Sequence, residues 1–238
     1  MAIVKEERIG NQRLILGDCL KVMPLLGEFD AVVTDPPYGI NEGGDKNRSR
    51  GNKASVGNYK SDQWDKSTCD EHISLARTIA KSQIIFGGNY YDLPPSSCWL
   101  VWDKQNGSTD FADCELAWTN LKKAVRRIYW RWNGMIRKGA DIRSHPTQKP
   151  LGVIEWCINH LPLSDKTILD PFLGSGTTLV ACQKLGRQGT GIELDPDYFK
   201  IACKRVDEAT RQPDLFISNE KTQEIPTQDA MVFEKEQQ

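Results

Sequence analysis

Two short segments of this 238-residue chain hold residue types at spacings that could do chemistry. The first is Asp35-Pro36-Pro37-Tyr38. Asp35 offers carboxylate oxygens, Pro36 offers a carbonyl with no amide proton on its own residue, and Tyr38 offers a flat face. Those are the parts needed to grip an aromatic amine. An exocyclic amino group is a poor nucleophile because its lone pair is delocalised into the ring. Two acceptors that take its two hydrogens pull the nitrogen toward tetrahedral geometry and aim the lone pair at an electrophile. The alternative for these four residues is a proline-rich turn that closes a strand.

The second segment is Asp170-Pro171-Phe172-Leu173-Gly174-Ser175-Gly176-Thr177-Thr178. It reads as a strand end, a glycine turn and a helix start, where glycines let the backbone approach a ligand and free amides favour a polar or anionic group. Glu193 follows about 20 residues after the glycines, the spacing at which an acid reaches a ribose hydroxyl pair in nucleotide-binding α/β folds. The combination implies an adenosine-containing cofactor held by Asp170, Phe172, Gly174, Ser175, Gly176, Thr177, Thr178 and Glu193. A nicotinamide dinucleotide is the alternative, but its fingerprint wants a third glycine or alanine where Leu179 stands. An acid beside the loop also repels a pyrophosphate and attracts the ammonium of a zwitterionic methionine.

Short apolar runs that alternate with helical patterns must position these residues, which predicts an α/β domain with a mostly parallel sheet. Strands are expected at 13–16, 31–34, 84–86, 99–102, 167–169 and 189–192. Helices are expected at 71–81, 151–161, 177–185 and 196–208. Asp35 and Asp170 then both stand at strand C-termini, where open α/β sheets place their sites. The stretch 41–65, rich in Gly, Asn, Lys and Ser, is expected to be a long surface loop.

Hydrophobic residues make up 39% and charged residues 26% of the chain, enough for one ordinary core. No apolar run approaches the roughly 18 residues of a membrane span, and MAIVKEERIG lacks the apolar centre of a secretory signal, so a cytoplasmic protein is expected. The seven cysteines are scattered and never form a Cys-x-x-Cys pair, which suggests neither a disulfide framework nor a zinc site. Cys69 and His72 have ligand spacing but no second pair, so no metal is expected. Net charge is −1, yet 122–143 carries eight Lys or Arg and one acid, Asp141. From Asp207 onward eight acids face three bases. A near-neutral chain with one basic stripe can still bind phosphates locally.

With both motifs in view, the chain resembles the amino-methylating DNA methyltransferases that act on adenine N6 or cytosine N4, in the arrangement where the catalytic motif precedes the cofactor motif. The resemblance covers roughly 13–206. Leu16-Gly17-Asp18-Cys19 is similar to the segment whose acid touches the cofactor adenine, which makes Asp18 a candidate. His145-Pro146-Thr147-Gln148-Lys149-Pro150 is similar to the segment beside the cofactor's methionine end, with Thr147 and Lys149 as candidates. Phe86-Gly87-Gly88-Asn89 and 99–104 resemble the elements around the target-base pocket.

The resemblance implies a Rossmann-like fold dependent on S-adenosylmethionine, with about seven strands and one antiparallel edge. It implies double-stranded DNA as partner, a flipped-out target base stacked on Tyr38, and Asp35, Pro36, Pro37 and Tyr38 as catalytic residues. Carbon methylation of cytosine would need a cysteine after a proline, and the chain has no Pro-Cys pair. Adenine is preferred over cytosine because cytosine-N4 members more often carry Ser where Asp35 stands. Residues 1–209 are expected to form the catalytic domain, with a small target-recognition insertion at about 105–144 in which Lys122, Lys123, Arg126, Arg127 and Arg131 meet DNA. A solvated hairpin with two core tryptophans is the alternative for that insertion. Residues 210–238 are expected to be a polar, disordered tail. Other readings are an RNA or protein amino-group methyltransferase and a non-catalytic DNA-binding subunit. A homodimer and a cognate nuclease are both compatible with the sequence.

Overall fold

Apolar residues alternate in direction along the central strands, and the alternation builds two cores. Leu14, Ala31, Val33 and Ile168 face one way, and Ile15, Val32, Leu169 and Ile192 face the other, as the two-residue period of a strand requires. The computed structural model describes residues 2–39, 69–106, 112–132 and 148–211. Its strands are β1 (Ile3–Ile9), β2 (Gln12–Gly17), β3 (Phe29–Thr34), β4 (Ala80–Phe86), β5 (Trp99–Asp103), β6 (Cys114–Thr119), β7 (Arg126–Tyr129), β8 (Thr167–Asp170) and β9 (Gln188–Glu193). The helices are α1 (Cys19–Val22), α2 (Asp70–Thr78), α3 (Leu151–Ile158), α4 (Thr177–Lys184) and α5 (Pro196–Arg211). α3, α4 and α5 cover the first face, through Val153, Leu179, Phe199 and Ala202. α1 and α2 cover the second, through Val22 and Ala76.

All the strands form one nine-stranded sheet in the order β1-β2-β9-β8-β3-β4-β6-β5-β7. The fold is the expected α/β arrangement with a mostly parallel sheet, two strands larger than the expected seven. Only β1 and β6 run against the rest. β1 is the expected antiparallel edge, and β6 is a second reversal inside the sheet, between β4 and β5. The run IVKEERI of β1 is too charged to read as a strand, because most of it is exposed at the sheet margin. The expected helix 71–81 ends early, at Thr78. The Ile79 carbonyl accepts from Phe29 N at 2.8 Å, and Ala80 already pairs with Phe29, so the chain enters β4 at once.

β6 and β7 belong to the sheet, and β7 lies parallel to β5. Trp132 is buried in the first core, and Trp102 Nε1 donates to the Trp130 carbonyl at 2.7 Å. Up to residue 132 the segment is thus joined to the sheet, with Trp132 in the core and Trp130 packed against it, as the hairpin alternative expects of its two tryptophans. Residues 133–144, the 41–65 stretch, Thr147 and the tail beyond 211 lie outside the described residues. Among the described residues no helix is long and apolar enough to cross a membrane.

Candidate active site

Because β2, β9, β8 and β3 are consecutive and parallel, their C-terminal ends share one edge of the sheet. Each ends in an acid: Asp18 after β2, Glu193 on β9, Asp170 on β8 and Asp35 after β3. Four side chains that are scattered over 175 residues of chain are thus brought into a row by strand order alone.

Asp35 is gripped from two sides. Tyr38 donates its hydroxyl to Oδ1 at 2.6 Å, and Lys149 Nζ donates to Oδ2 at 2.5 Å. Lys149 also reaches the Tyr38 hydroxyl at 3.2 Å. The turn after β3 is fixed from below by Tyr91, whose hydroxyl donates to the carbonyls of Pro36 at 3.1 Å and Pro37 at 2.7 Å. The Tyr38 ring stacks on Tyr90, with centroids 5.0 Å apart. It also lies flat against Gly87, where an added Cβ would meet Tyr38 Cε1 at 2.2 Å. Gly87, at φ +65°, is therefore glycine for two reasons, a left-handed backbone and a ring laid directly over it. Burial lifts Asp35 above the ordinary carboxylate range, against the pull of Lys149. Burial would lower Lys149, but Asp35 and Glu115 outweigh it and hold the ammonium charged.

The glycine loop between β8 and α4 turns on Gly174 at φ +54° and Gly176 at φ +84°. An added Cβ at Gly174 would meet nothing within 4 Å, so the loop presents open space there. At Gly176 it would meet Cα and Cβ of Ala202 at 3.1 Å each, so that glycine serves the packing of α5. Gly174 N donates to Glu193 Oε2 at 2.7 Å, and Asp195 N donates to Oε1 at 2.8 Å. Burial still pushes Glu193 up to about 7. Asp170 points inward. It accepts from Thr34 Oγ1 at 2.8 Å and Phe172 N at 3.1 Å, and burial pushes it up to about 6 against the Thr178 and Thr34 hydroxyls. Ser175 and Thr177 also face the interior, where Arg205 donates to their hydroxyls at 2.7 and 3.1 Å. Phe172 packs against His72, with ring centroids 5.6 Å apart.

Asp18 caps α1 by accepting from Leu20 N at 3.1 Å and pairs with Lys21 at 3.0 Å. With Cys19 and His72 it forms a trio whose ligand-type atoms lie within 4.8 Å of one another. The Lys21 ammonium and the Cys19 thiol, pushed up to about 12 by burial, both oppose capture of a cation there. All seven cysteines are free.

Strand direction separates the basic residues expected to meet DNA. β6 is reversed, so its C-terminal end, and Lys122 and Lys123 just after it, lie at the sheet edge opposite Asp35. Lys123 Nζ donates there to the His160 carbonyl at 2.6 Å. Arg126 pairs in register with Leu100 at the start of β5, and Tyr129 with Asp103 at its end. Arg131, beyond Tyr129, is on the reactive edge, and Arg127 lies over the exposed Tyr129 ring at 4.3 Å. Of the residues expected to meet DNA, Lys122 and Lys123 thus lie at a different sheet edge from Arg131.

Lys149, expected beside the cofactor, sits on Asp35. The sequence reading also missed Tyr90, Tyr91 and Glu115. Glu115 carried a usable signal, a single acid within the apolar strand Cys114–Thr119. The tyrosines carried none.

The mostly parallel sheet with acids along one C-terminal edge is a Rossmann-like arrangement. Residues 92–204 match the N6/N4 DNA methylase family. The type II methyltransferase M2.LlaDCHI of Lactococcus lactis subsp. cremoris is 29% identical over 245 aligned residues, covering 82% of this chain and 89% of that protein. Among solved structures, the M1.HpyAVI complex with SAM superposes with a TM-score of 0.54 at 23% identity, covering 82% of this chain and 99% of the other. The cytosine-N4-specific PvuII DNA methyltransferase gives 0.54 at 15% identity, over 85% and 89%. Over residues 92–204, and in its overall fold, the chain is thus similar to the amino-methylating DNA methyltransferases.

Proposed function

We propose that this protein transfers a methyl group from S-adenosylmethionine to the N6 amino group of a flipped-out adenine in double-stranded DNA, at a specific sequence, as a type II modification enzyme. The observation that carries the reading is the Asp35 carboxylate, held at the end of β3 with the Tyr38 ring beside it. The open face of Gly174 lies on a loop that follows the neighbouring strand β8.

The residues present fit the cofactor. Glu193 is fixed by two backbone amides at the strand end where a ribose would lie, Asp18 stands one strand further along, and Gly174 leaves room for close approach. S-adenosylmethionine supplies an electrophilic methyl group. Ser175, Thr177 and Asp170 support the loop from inside, through Arg205 and Thr34.

The target amino group enters opposite Lys149 and replaces the Tyr38 hydroxyl at Asp35 Oδ1, because Oδ2 is held by the ammonium. The Pro36 carbonyl takes the second hydrogen. Tyr38, released from Asp35, offers its face to the base. Asp35 is then the nearest acceptor for the proton that the nitrogen loses after transfer, and burial suits it to that task by raising its proton affinity. Arg127 and Arg131 face phosphates on the reactive side.

Adenine is preferred to cytosine because Asp rather than Ser stands at position 35. The test is incubation of the protein with labelled methyl donor and unmethylated duplex DNA, followed by digestion to nucleosides. Label in N6-methyl-2′-deoxyadenosine is expected. Label in N4-methyl-2′-deoxycytidine overturns the base assignment, and unlabelled DNA overturns the reading as a whole.

A further inference from the structure

The ion pairs around Asp35 continue past it, in a direction that the methyl transfer does not itself use. Lys149 Nζ lies between two carboxylates, 2.5 Å from Asp35 Oδ2 and 3.1 Å from Glu115 Oε2. Glu115 Oε1 in turn lies 2.5 Å from Lys104 Nζ. Two acids and two bases alternate from β3 through Lys149 to β6 and β5. The Lys149 side chain is only 8% exposed, and those of Lys104, Asp35 and Glu115 are 18%, 21% and 22% exposed. Charges this enclosed persist only when paired.

Glu115 is anchored more firmly than the lysine it holds. It stands on β6, inside the sheet, opposite Trp102. Its neighbour Leu116 accepts from Gly87 N at 2.8 Å, the glycine over which Tyr38 lies. Lys104 is held behind it by its own backbone bond to the Asp113 carbonyl at 2.8 Å and by the face of Trp102 at 5.0 Å. Lys149, by contrast, lies in the extended segment just ahead of α3.

Lys149 is already in close contact with Asp35, and an ammonium paired with that carboxylate alone would spend its full charge there. Asp35 would become a weaker acceptor for an amino group and would lose its fixed orientation. A second carboxylate on the far side of the ammonium prevents both. It lies within ion-pair distance of the ammonium and shares its charge, while Lys104 keeps that second carboxylate ionised.

We propose that Glu115, backed by Lys104, is a positioning residue for the methyl transfer, fixing Lys149 so that Asp35 presents Oδ1 to the target amino group. This rests on the reading of Asp35 given above.

Three variants test it. Glu115→Gln keeps the shape but leaves an uncompensated positive charge. Glu115→Gln combined with Lys104→Met restores neutrality without restoring the second carboxylate. Glu115→Asp keeps the charge and withdraws it by one methylene. Each is measured for melting temperature, S-adenosylhomocysteine affinity and single-turnover methylation of unmethylated duplex DNA with enzyme in excess. The melting temperature should fall in Glu115→Gln and recover in the double variant. The methylation rate should fall by at least about tenfold in both and less in Glu115→Asp, with cofactor affinity within about twofold of wild type throughout. A rate that follows melting temperature across the three variants, or a Glu115→Gln enzyme with the wild-type rate, overturns the positioning role alone. A wild-type enzyme that transfers no methyl group overturns the reading of Asp35, and the positioning role with it.

Discussion

Gly174 and Gly176 are two residues apart in one loop, yet alanine at each should fail in a different way. Both have left-handed backbones, at φ +54° and +84°, and that region costs a residue with a Cβ roughly 1–2 kcal/mol. At Gly174 this strain is the whole structural cost, since the new methyl meets nothing within 4 Å. At Gly176 the methyl lies 3.1 Å from Ala202 Cα and Cβ, so α4 and α5 must also move apart. In a domain of about 150–250 residues, 1 kcal/mol is worth about 2–4 °C. Gly174→Ala should therefore melt about 2–8 °C below wild type, and Gly176→Ala lower still.

Cofactor affinity should rank the other way. The Gly174 methyl stands in the open space assigned to the cofactor and should weaken S-adenosylhomocysteine by at least about tenfold, or about 1.4 kcal/mol. Gly176→Ala should bind nearly normally once folded. Scanning calorimetry gives the melting temperatures, and titration calorimetry well below both transitions gives the affinities. Wild-type affinity in a folded Gly174→Ala protein would refute the argument, because the cofactor would then not cross this loop.

Asp35→Ala should collapse single-turnover methylation while S-adenosylhomocysteine affinity barely changes, and a folded variant with near-normal transfer rules out the mechanism. Tyr38→Phe should keep most activity, because its hydroxyl leaves Asp35 when the amino group arrives, whereas Tyr38→Ala should lose roughly 1–3 kcal/mol of base stacking in DNA affinity. Asp170 and Glu193 have folded values of about 6 and about 7, raised by burial. Raised acids bind more protons folded than unfolded, so their contribution to stability is full at low pH and is lost as pH rises through 6 to 7. With the proposed ribose contact made by the ionised Glu193, cofactor binding should tighten over the same window by up to about tenfold per pH unit. Melting curves and titrations from pH 5 to 8 should show the two opposing trends, and a Glu193→Gln variant whose cofactor affinity keeps the wild-type pH dependence contradicts the assignment. Replacing Arg127 and Arg131 with Ala should reduce the slope of log affinity against log salt by about one unit per phosphate contact. Filter binding over a salt series should show no such change for Lys122→Ala with Lys123→Ala, and equal slopes in the two pairs would remove the arginines from the interface.

Both chemical motifs were legible because each is local. Asp35 to Tyr38 and Asp170 to Thr178 are continuous stretches, and the flanking apolar runs announce the strands that aim them. Lys149 was assigned by its neighbours in sequence, and its real partner is 114 residues away. A pairing of that kind depends on where β3 and the start of α3 meet, which periodicity does not encode. Lys122 and Lys123 were grouped with Arg127 and Arg131 because charge density is blind to direction. The reversal of β6 divides that group between two edges of the sheet. β1 was missed for a related reason, since a strand at the margin has no need of an apolar face.

The interleaved strand order also determines when the site comes into being. β2 leaves the ribosome early, but its parallel neighbour is β9, and β8 fills the place between β9 and β3. Until residues 167–193 have emerged, the β1–β2 hairpin and the block β3 to β7 have nothing to join them. Contacts so distant along the chain slow folding. The Gln12 side chain clamps the late strand once it arrives, accepting from Gly189 N at 2.7 Å and donating to the Arg187 carbonyl at 2.9 Å. The acid row therefore completes only with β9, and a ligand that binds only the finished row would draw the folding equilibrium toward it by mass action.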